Sequence, residues 1–261
     1  MSEPARLTVI GSGNASNAAG RGHSCYWIEG LLAGALMVDF GGTALAGIKG
    51  LGLDPRRIST LAFTHLHGDH IGGYPFLLID AMYDLRRSEP LRVVGPRGVE
   101  ERLESLLSVC YGSLAEKERS FQLSYHEVSP GDVLELSEGL SLSAFAADHQ
   151  DAPEAPLCLR FADGEGRSLA FSGDTRLCEG LREAARDAEL LVAECSALSQ
   201  PCGAHMAWED WEAAARGFSC RRLLLTHLGE DVRGAIPQLL GSGLDGVELD
   251  FADDGKTLEL W

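Results

Sequence analysis

Short apolar runs and amphipathic runs succeed one another along this chain in an order that repeats. Four strand-like runs come first, "RLTVIG", "SCYWIEG", "ALMVDFG" and "STLAFTH", each bounded by glycine or polar residues. "GYPFLLIDAMYDLRR" then reads as a helix, with Pro75 in the first turn, where a missing N–H does no harm. "LRVVGP" reads as a strand, and "RGVEERLESLLSVCYG" as an amphipathic helix closed by Gly112. A β-rich middle follows, made of "FQLSYHEV", "DVLELSEG", "LSLSAFAADH", "PLCLRFA" and "SLAFSGDT". Helical "CEGLREAARDA" and "AWEDWEAAARGF" then alternate with strands "ELLVAEC" and "RRLLLTHLGE", and "GVELDFADDGKTLELW" reads as a closing hairpin. Two rounds of strands separated by helices predict two sheets sandwiched between helical layers.

Several of these strands end in histidine or aspartate. "FTHLHGDHIGG" places His65, His67, Asp69 and His70 within six consecutive positions, directly after an apolar strand. His149 ends "LSLSAFAADH", Asp174 ends "SLAFSGD", and His227 ends "RRLLLTH". Imidazole nitrogen and carboxylate oxygen suit zinc and similar borderline divalent metals. A lone strand-end histidine is more often a satisfied core or surface residue, but several donors at successive strand ends favour a metal centre. Two metals need roughly six to eight ligand positions, and an aspartate can bridge them. His65, His67, His149 and Asp174 can hold one; Asp69, His70, His227 and the same Asp174 can hold the other. Gly72 and Gly73 are expected to let the backbone turn away. Asp39, ending "ALMVDFGG", is expected to support neighbouring loops or a ligand histidine. His126 reads as a solvent-facing strand residue, and His23 as bordering the pocket without ligating. "GSGNASNAAGRG" is a weak dinucleotide fingerprint, because Ser16 replaces its third glycine, and reads better as a flexible loop near the site.

Composition narrows the picture further. The 261 residues are 45% hydrophobic and contain no linker or repeat, which predicts one domain over residues 1–261. The longest apolar stretch, "LLAGALMV", is too short to span a bilayer, and the N-terminus lacks a signal-peptide pattern. Seven scattered cysteines without a C-x-x-C predict reduced, mostly buried thiols and a cytoplasmic setting. Lys+Arg 22 against Asp+Glu 39 gives a net charge of −17, which repels a polyanion at long range. From this balance a small-molecule substrate is expected, with no membrane and no extended nucleic acid.

The constellation resembles the metallo-β-lactamase superfamily. "THLHGDH" matches its signature in full, and His149, "SGDT" at Asp174 and "LTHLGE" at His227 follow in the expected order. "FSGDT", "AEC" at Glu194 and an isolated His205 before a helix make the chain most similar to the ribonuclease Z-like branch. The resemblance implies an α/β fold, the αββα sandwich of two mixed sheets flanked by helices, with a dinuclear site at one edge. Two divalent ions, Zn²⁺ foremost with Mn²⁺ or Fe²⁺ as alternatives, lower the pKa of a shared water and polarise the attacked centre. Asp69 can both bind a metal and orient that water. In the resembled branch a histidine–glutamate pair protonates the leaving alkoxide, and His205 and Glu194 occupy the matching positions; a charged Glu194 would favour protonated His205.

These features predict a metal-dependent phosphodiesterase acting on a small phosphodiester such as a cyclic nucleotide. The alternative is a thioesterase or lactonase on the same metals. A sulfur dioxygenase with one iron and a non-catalytic binding protein rank lower; a diiron flavoprotein is disfavoured by His67, where that branch carries Glu. The acidic charge, the lack of a long Gly/Pro-rich arm and the residues of "THLGED" argue against tRNA 3′ processing. A homodimer is implied by the branch, although Trp208 and Trp211, three apart on one helix face, read first as core residues.

Overall fold

The computed structural model describes residues 4–114, 116–150, 155–201 and 203–261. The chain first lays down β1 (Arg6–Gly11), β2 (Cys25–Glu29), β3 (Ala35–Phe40), β4 (Ile58–Ala62), β5 (Leu91–Pro96) and β6 (Leu123–Val128). It then crosses to a second sheet of β7 (Val133–Ser137), β8 (Leu140–Ala146), β9 (Leu157–Asp163), β10 (Ser168–Phe171), β11 (Leu190–Glu194), β12 (Arg222–Thr226) and β13 (Glu248–Phe251). The last strand, β14 (Thr257–Glu259), returns to the first sheet beside β1. The two orders are β14-β1-β2-β3-β4-β5-β6 and β13-β12-β11-β10-β9-β8-β7. Both sheets are mixed: β3 to β6 run parallel, as do β10 to β13, and the remaining neighbours are antiparallel.

Side chains alternate across each sheet, and both faces are buried. Tyr26, Ile28, Leu36 and Val38 meet Leu159, Phe161, Phe171 and Val192 between the sheets. Their neighbours Cys25, Trp27, Ala35 and Met37 pack outward on α1 (Ala44–Gly50), α3 (Tyr74–Ile79) and α4 (Val99–Tyr111), with the single turn α2 (Gly68–Ile71) at the rim. Leu191, Ala193, Leu223 and Leu225 pack on α5 (Glu179–Ala185), α6 (Trp208–Ala214) and α7 (Glu230–Ser242). This is the expected αββα order, and it explains why the strands read as continuous apolar runs. Each large buried side chain contributes about 1.5–3 kcal/mol by leaving water. Trp208 and Trp211 are core residues of the outer layer. Cys25, Cys158, Cys195 and Cys220 are buried free thiols, Cys178 is half-buried and Cys110 exposed, while Cys202 lies outside the described residues.

Three expectations need correction. The tail is not a hairpin: β13 pairs in parallel with β12, whereas β14 pairs antiparallel with β1 in the other sheet. The turn between them is used to bridge, since Asp254 accepts hydrogen bonds from Ser12 and Gly22. Helix α7 was not expected, because Pro237 and two glycines interrupt its pattern and only Val232 and Leu239 are fully buried. Gly72 and Gly73 have ordinary helical φ; they are glycines because a Cβ would lie 2.4 Å from the Gly68 carbonyl and 2.3 Å from that of Gly41, respectively.

A buried hydrogen bond of 2.7 Å between Tyr26 Oη and Thr226 Oγ1 ties the two sheets together just under the rim. Tyr26→Phe or Thr226→Val alone leaves one buried hydroxyl unpaired and should cost about 1–3 kcal/mol. The double variant should lose clearly less than the sum of the two. Urea denaturation of the three variants measures this, and strictly additive losses would contradict the coupling.

Candidate metal centre

The rim is built from the carboxyl-terminal ends of strands in both sheets. After β4, the Thr64 backbone N–H donates to Asp39 Oδ1 at 2.9 Å, and buried Leu66 separates His65 from His67, so both rings face the same side. Asp69 and His70 follow on α2. From the second sheet come His149 beyond β8, Asp174 beyond β10, Glu194 as the last residue of β11 and His227 directly after β12. Asp174 is carried by a turn whose Gly173 has φ +58°, and a Cβ there would lie 2.8 Å from Thr64 Cβ. His227 (φ 53°) and Asp39 (φ 54°) hold left-handed backbone without being glycine, a strain of the kind that clusters at functional sites.

Three groups of donor atoms gather here: two share Asp174, and a smaller third, Glu194, His205 and His227, adjoins them. His65, His67, His149 and Asp174 form the first, and Asp69, His70, Asp174 and His227 the second, with all donor atoms of a group within 4.8 Å of one another. In the first, His67 Nδ1 lies 3.1 Å from both His65 Nε2 and His149 Nε2, and Asp174 Oδ2 lies 3.8 and 3.9 Å from those two. In the second, His70 Nε2 is 3.4 Å from Asp69 Oδ2 and from Asp174 Oδ1, and His227 Nε2 is 3.3 and 3.4 Å from Asp69 Oδ2 and Asp174 Oδ2. A tetrahedral ion with bonds of about 2.0–2.1 Å spaces its ligands about 3.3 Å apart, so both groups have the right size. His70 Nε2 is buried among these oxygens without a hydrogen bond, which fits a nitrogen lone pair awaiting a cation.

The opposite ring nitrogens are held in ways that present those lone pairs. His70 Nδ1 donates to Asp39 Oδ2 at 2.7 Å. His65 Nδ1 donates to Thr64 Oγ1 at 3.1 Å, which in turn donates to Asp39 at 2.9 Å. His149 Nδ1 donates to the Ala204 carbonyl at 2.8 Å. The Gln150 amide lies 2.7 Å from His67 Nε2, and a turn about its Cγ–Cδ bond offers Oε1 to the N–H that His67 carries when Nδ1 faces a metal. Asp39 thus buttresses both ends of the histidine cluster. Thr64 and Gln150 were not expected in this network; each merely adjoins a ligand candidate, and no periodicity marks them.

Electrostatics follow the same plan. Burial holds the imidazoles of His65, His67 and His149 below their ordinary value, keeping them neutral as metal ligation requires. Burial works to lower His70 as well, but the carboxylates of Asp174 and Asp39 outweigh it and push this ring well above the usual range. Burial works to raise the Asp174 carboxyl, yet His227 and His70 hold it well below its ordinary value. Two carboxylates, Asp69 and Asp174, therefore face a common space that calls for positive charge. A divalent cation supplies it in place of the His70 proton.

Glu194 and His205 meet at the edge of this cluster. His205 Nδ1 lies 3.0 and 3.1 Å from the two Glu194 oxygens, and its ring stacks on His227 with centroids 5.4 Å apart. Burial, reinforced by the charge of Asp174, pushes the Glu194 carboxyl well above its usual range. The carboxylate is fixed by the Thr175 N–H at 2.6 Å, and the Glu194 carbonyl by Trp211 Nε1 at 3.0 Å. His205 also lines a cleft of about 380 Å³ with Arg176, Leu177 and Asp210. His23 belongs to none of the donor groups and lies beside Gly41 and Gly42, its Nε2 3.3 Å from the Ala15 carbonyl. His126 is a half-buried residue of β6, two strands across the sheet from β4, and belongs to none of the donor groups. The glycine-rich loop opens no α-helix and packs Gly13 in a bridge with Leu228, next to His227.

An αββα sandwich with two His/Asp donor groups at one rim defines a class of metal-dependent hydrolases. Residues 40–228 match the Beta-lactamase superfamily domain, and the chain belongs to that family. The ribonuclease Z of Methanothermobacter thermautotrophicus is similar at 26% identity, over 97% of this chain and 96% of the relative. The ribonuclease Z of Bacillus subtilis is 26% identical over 70% of this chain and 74% of its own length. Among solved structures, the short form of human tRNase Z (21% identity, TM-score 0.77, 98% of this chain and 99% of that chain) shares the fold. So does the metallo-beta-lactamase fold protein YhfI from Bacillus subtilis (19% identity, TM-score 0.78, 98% of both chains).

These relatives overturn the expected partner, a small-molecule substrate with extended nucleic acid excluded, because they bear the name of a ribonuclease. Net charge was a poor guide for a physical reason. It describes the field beyond a Debye length, whereas a phosphodiester is engaged at a few ångströms by bound cations and local donors.

Two outcomes are expected here. Asp174→Ala removes a donor from both groups and should lower occupancy of both metals, whereas His149→Ala should chiefly weaken one. Elemental analysis measures this, and full dinuclear occupancy in Asp174→Ala would refute the bridge. Gln150→Leu should weaken metal retention by about tenfold through loss of the His67 partner; unchanged retention in a chelator competition would remove Gln150 from the network.

Proposed function

We propose that the protein is a metal-dependent phosphodiesterase that cleaves RNA, and the observation that carries this reading is the His205–Glu194 pair beside the two donor groups. His65, His67, His149 and Asp174 would hold one ion, and Asp69, His70, His227 and Asp174 the other. When bound, two divalent ions, Zn²⁺ by donor type, supply an activated water and neutralise charge on the attacked phosphate. Asp69, half-buried at the mouth of the second group, has its carboxylate placed where it would orient such a water. Gln150, Thr64 and Asp39 keep the ligand rings from turning.

The departing group sets the remaining requirement. A ribose alkoxide is a poor leaving group and needs a proton as its bond to phosphorus breaks. Glu194 engages His205 Nδ1 at 3.0 Å, which leaves Nε2 as the edge of the ring available to a substrate. His205 is the donor in this reading: Nε2–H passes its proton to the leaving oxygen, and Glu194 holds the ring in place. A thioester loses a thiolate without such help, so the pair favours phosphodiester chemistry over the thioesterase alternative, while the names of the ribonuclease Z relatives speak for it over a lactone, whose alkoxide would need the same proton. The names of the ribonuclease Z relatives support RNA as the carrier of that phosphodiester.

His205→Ala should keep both metals and lose about a hundredfold in rate with RNA or an alkyl phosphodiester. It should lose much less with bis-p-nitrophenyl phosphate, whose p-nitrophenolate leaves unprotonated. Parallel kinetics on the two substrates measure the difference. Equal losses would assign His205 to positioning or stability and remove the case against thioesters.

A further inference from the structure

The strongest feature outside the rim is a cavity of about 640 Å³. It spans the amino-terminal ends of the parallel strands β4, β5 and β6, opposite the end that carries the donor groups. Its wall holds four guanidinium groups, Arg56, Arg57, Arg87 and Arg92, and one carboxylate, Glu89. In a chain with 22 Lys+Arg against 39 Asp+Glu this is a local reversal of sign.

The four arginines are not equally satisfied. Arg56 pairs with Asp54 at 3.0 Å, and Arg57 pairs with Glu29. Arg87 and Arg92 have no ion pair with a carboxylate among the described residues, and their hydrogen bonds go to carbonyls. Arg87, 6% exposed, donates to the carbonyls of Glu89, Ile58 and Pro90 at 2.6–2.7 Å. Arg92 donates to the Leu136 carbonyl at 2.7 Å, linking β5 to β7 across the two sheets. Carbonyl dipoles fix a guanidinium in place but do not neutralise it. Arg87 is held by four carbonyls, those of Glu89, Arg56, Ile58 and Pro90, and feels the Glu89 carboxylate, whereas Arg92 brings its charge to the cavity wall with no ion pair among the described residues.

We propose that this cavity binds an organic phosphate of nucleotide size, as a ligand distinct from the substrate cleaved at the rim. Guanidinium groups match phosphate oxygens in geometry and charge, and the half-buried Ser59 and Ser124 add hydroxyls to the same wall. Half-buried Leu32 and exposed Pro90 supply apolar surface for the organic part. The volume is in the range of small-ligand pockets. Its concave form, closed by the β2–β3 turn at Leu32 on one side and by β7 on the other, admits a single nucleotide more readily than a folded RNA backbone.

Calorimetric titration of the metal-loaded protein with adenosine monophosphate, inorganic phosphate and a short single-stranded RNA tests the proposal. Adenosine monophosphate should bind saturably, and Asp174→Asn, which disables the rim, should leave this second binding event in place. Arg92→Gln should weaken it by about tenfold, the loss of one charge-assisted contact. Ser124→Asp, which keeps all four arginines and adds a carboxylate to the wall, should weaken it as well, with thermal melts showing that both variants fold. Absence of saturable binding overturns the proposal. So does binding that vanishes in Asp174→Asn but survives Arg92→Gln, or binding of RNA in place of the mononucleotide. Inorganic phosphate bound as tightly as the nucleotide would overturn the assignment of an organic ligand.

Discussion

The buried carboxylate of Asp174 lies 3.4–3.9 Å from the rings of His65, His70, His149, His205 and His227. Such a group cannot be left in a protein interior without opposite charge or hydrogen bonds, and here the histidines that answer it come from four separate segments, His65 and His70 sharing one of them. The demand constrains the whole fold. Both sheets must end at one rim, with β4 delivering His65 and β10, β11 and β12 delivering Asp174, Glu194 and His227. The left-handed backbone at Asp39 and His227, each costing about 1–3 kcal/mol, persists because the inter-sheet core holds the strand ends where they are.

Asp39 extends the same logic one layer down. Its two oxygens engage His70, the Thr64 N–H and the Thr64 hydroxyl, so one side chain sets the orientation of both terminal histidines in the first cluster. Imidazoles whose outer nitrogens are held by fixed partners keep their inner nitrogens aimed at a common point, which is the condition for preorganised metal binding. Charge far from the rim matters less. A net charge of −17 governs long-range encounter, while chemistry at the rim depends on donors a few ångströms apart.

Much of this was legible in the chain. His65, His149, Asp174 and His227 could be picked out because each lies at or just beyond the end of a strand-like run, and His67, Asp69 and His70 because they crowd into the turn that follows His65. What could not be read depends on partners distant in sequence. The alternation in "GVELDFADDGKTLELW" announces strands but not which sheet each joins, so a crossing tail passed for a hairpin. Helix α7 hid behind Pro237 and its glycines. Thr64 and Gln150 act through single hydrogen bonds that leave no periodic trace. The expected partner rested on net charge, which describes the field far from the surface and not the donors of a site.

The proposed function requires that the metal-loaded rim break a phosphodiester in RNA. The most direct measurement is incubation of the zinc-loaded protein with an end-labelled RNA that carries a 3′ extension, with the product termini identified by mass spectrometry. Cleavage should leave defined ends, stop on chelation and return when Zn²⁺ or Mn²⁺ is restored. Intact RNA under conditions where the same preparation hydrolyses a thioester or a lactone would contradict the proposed function.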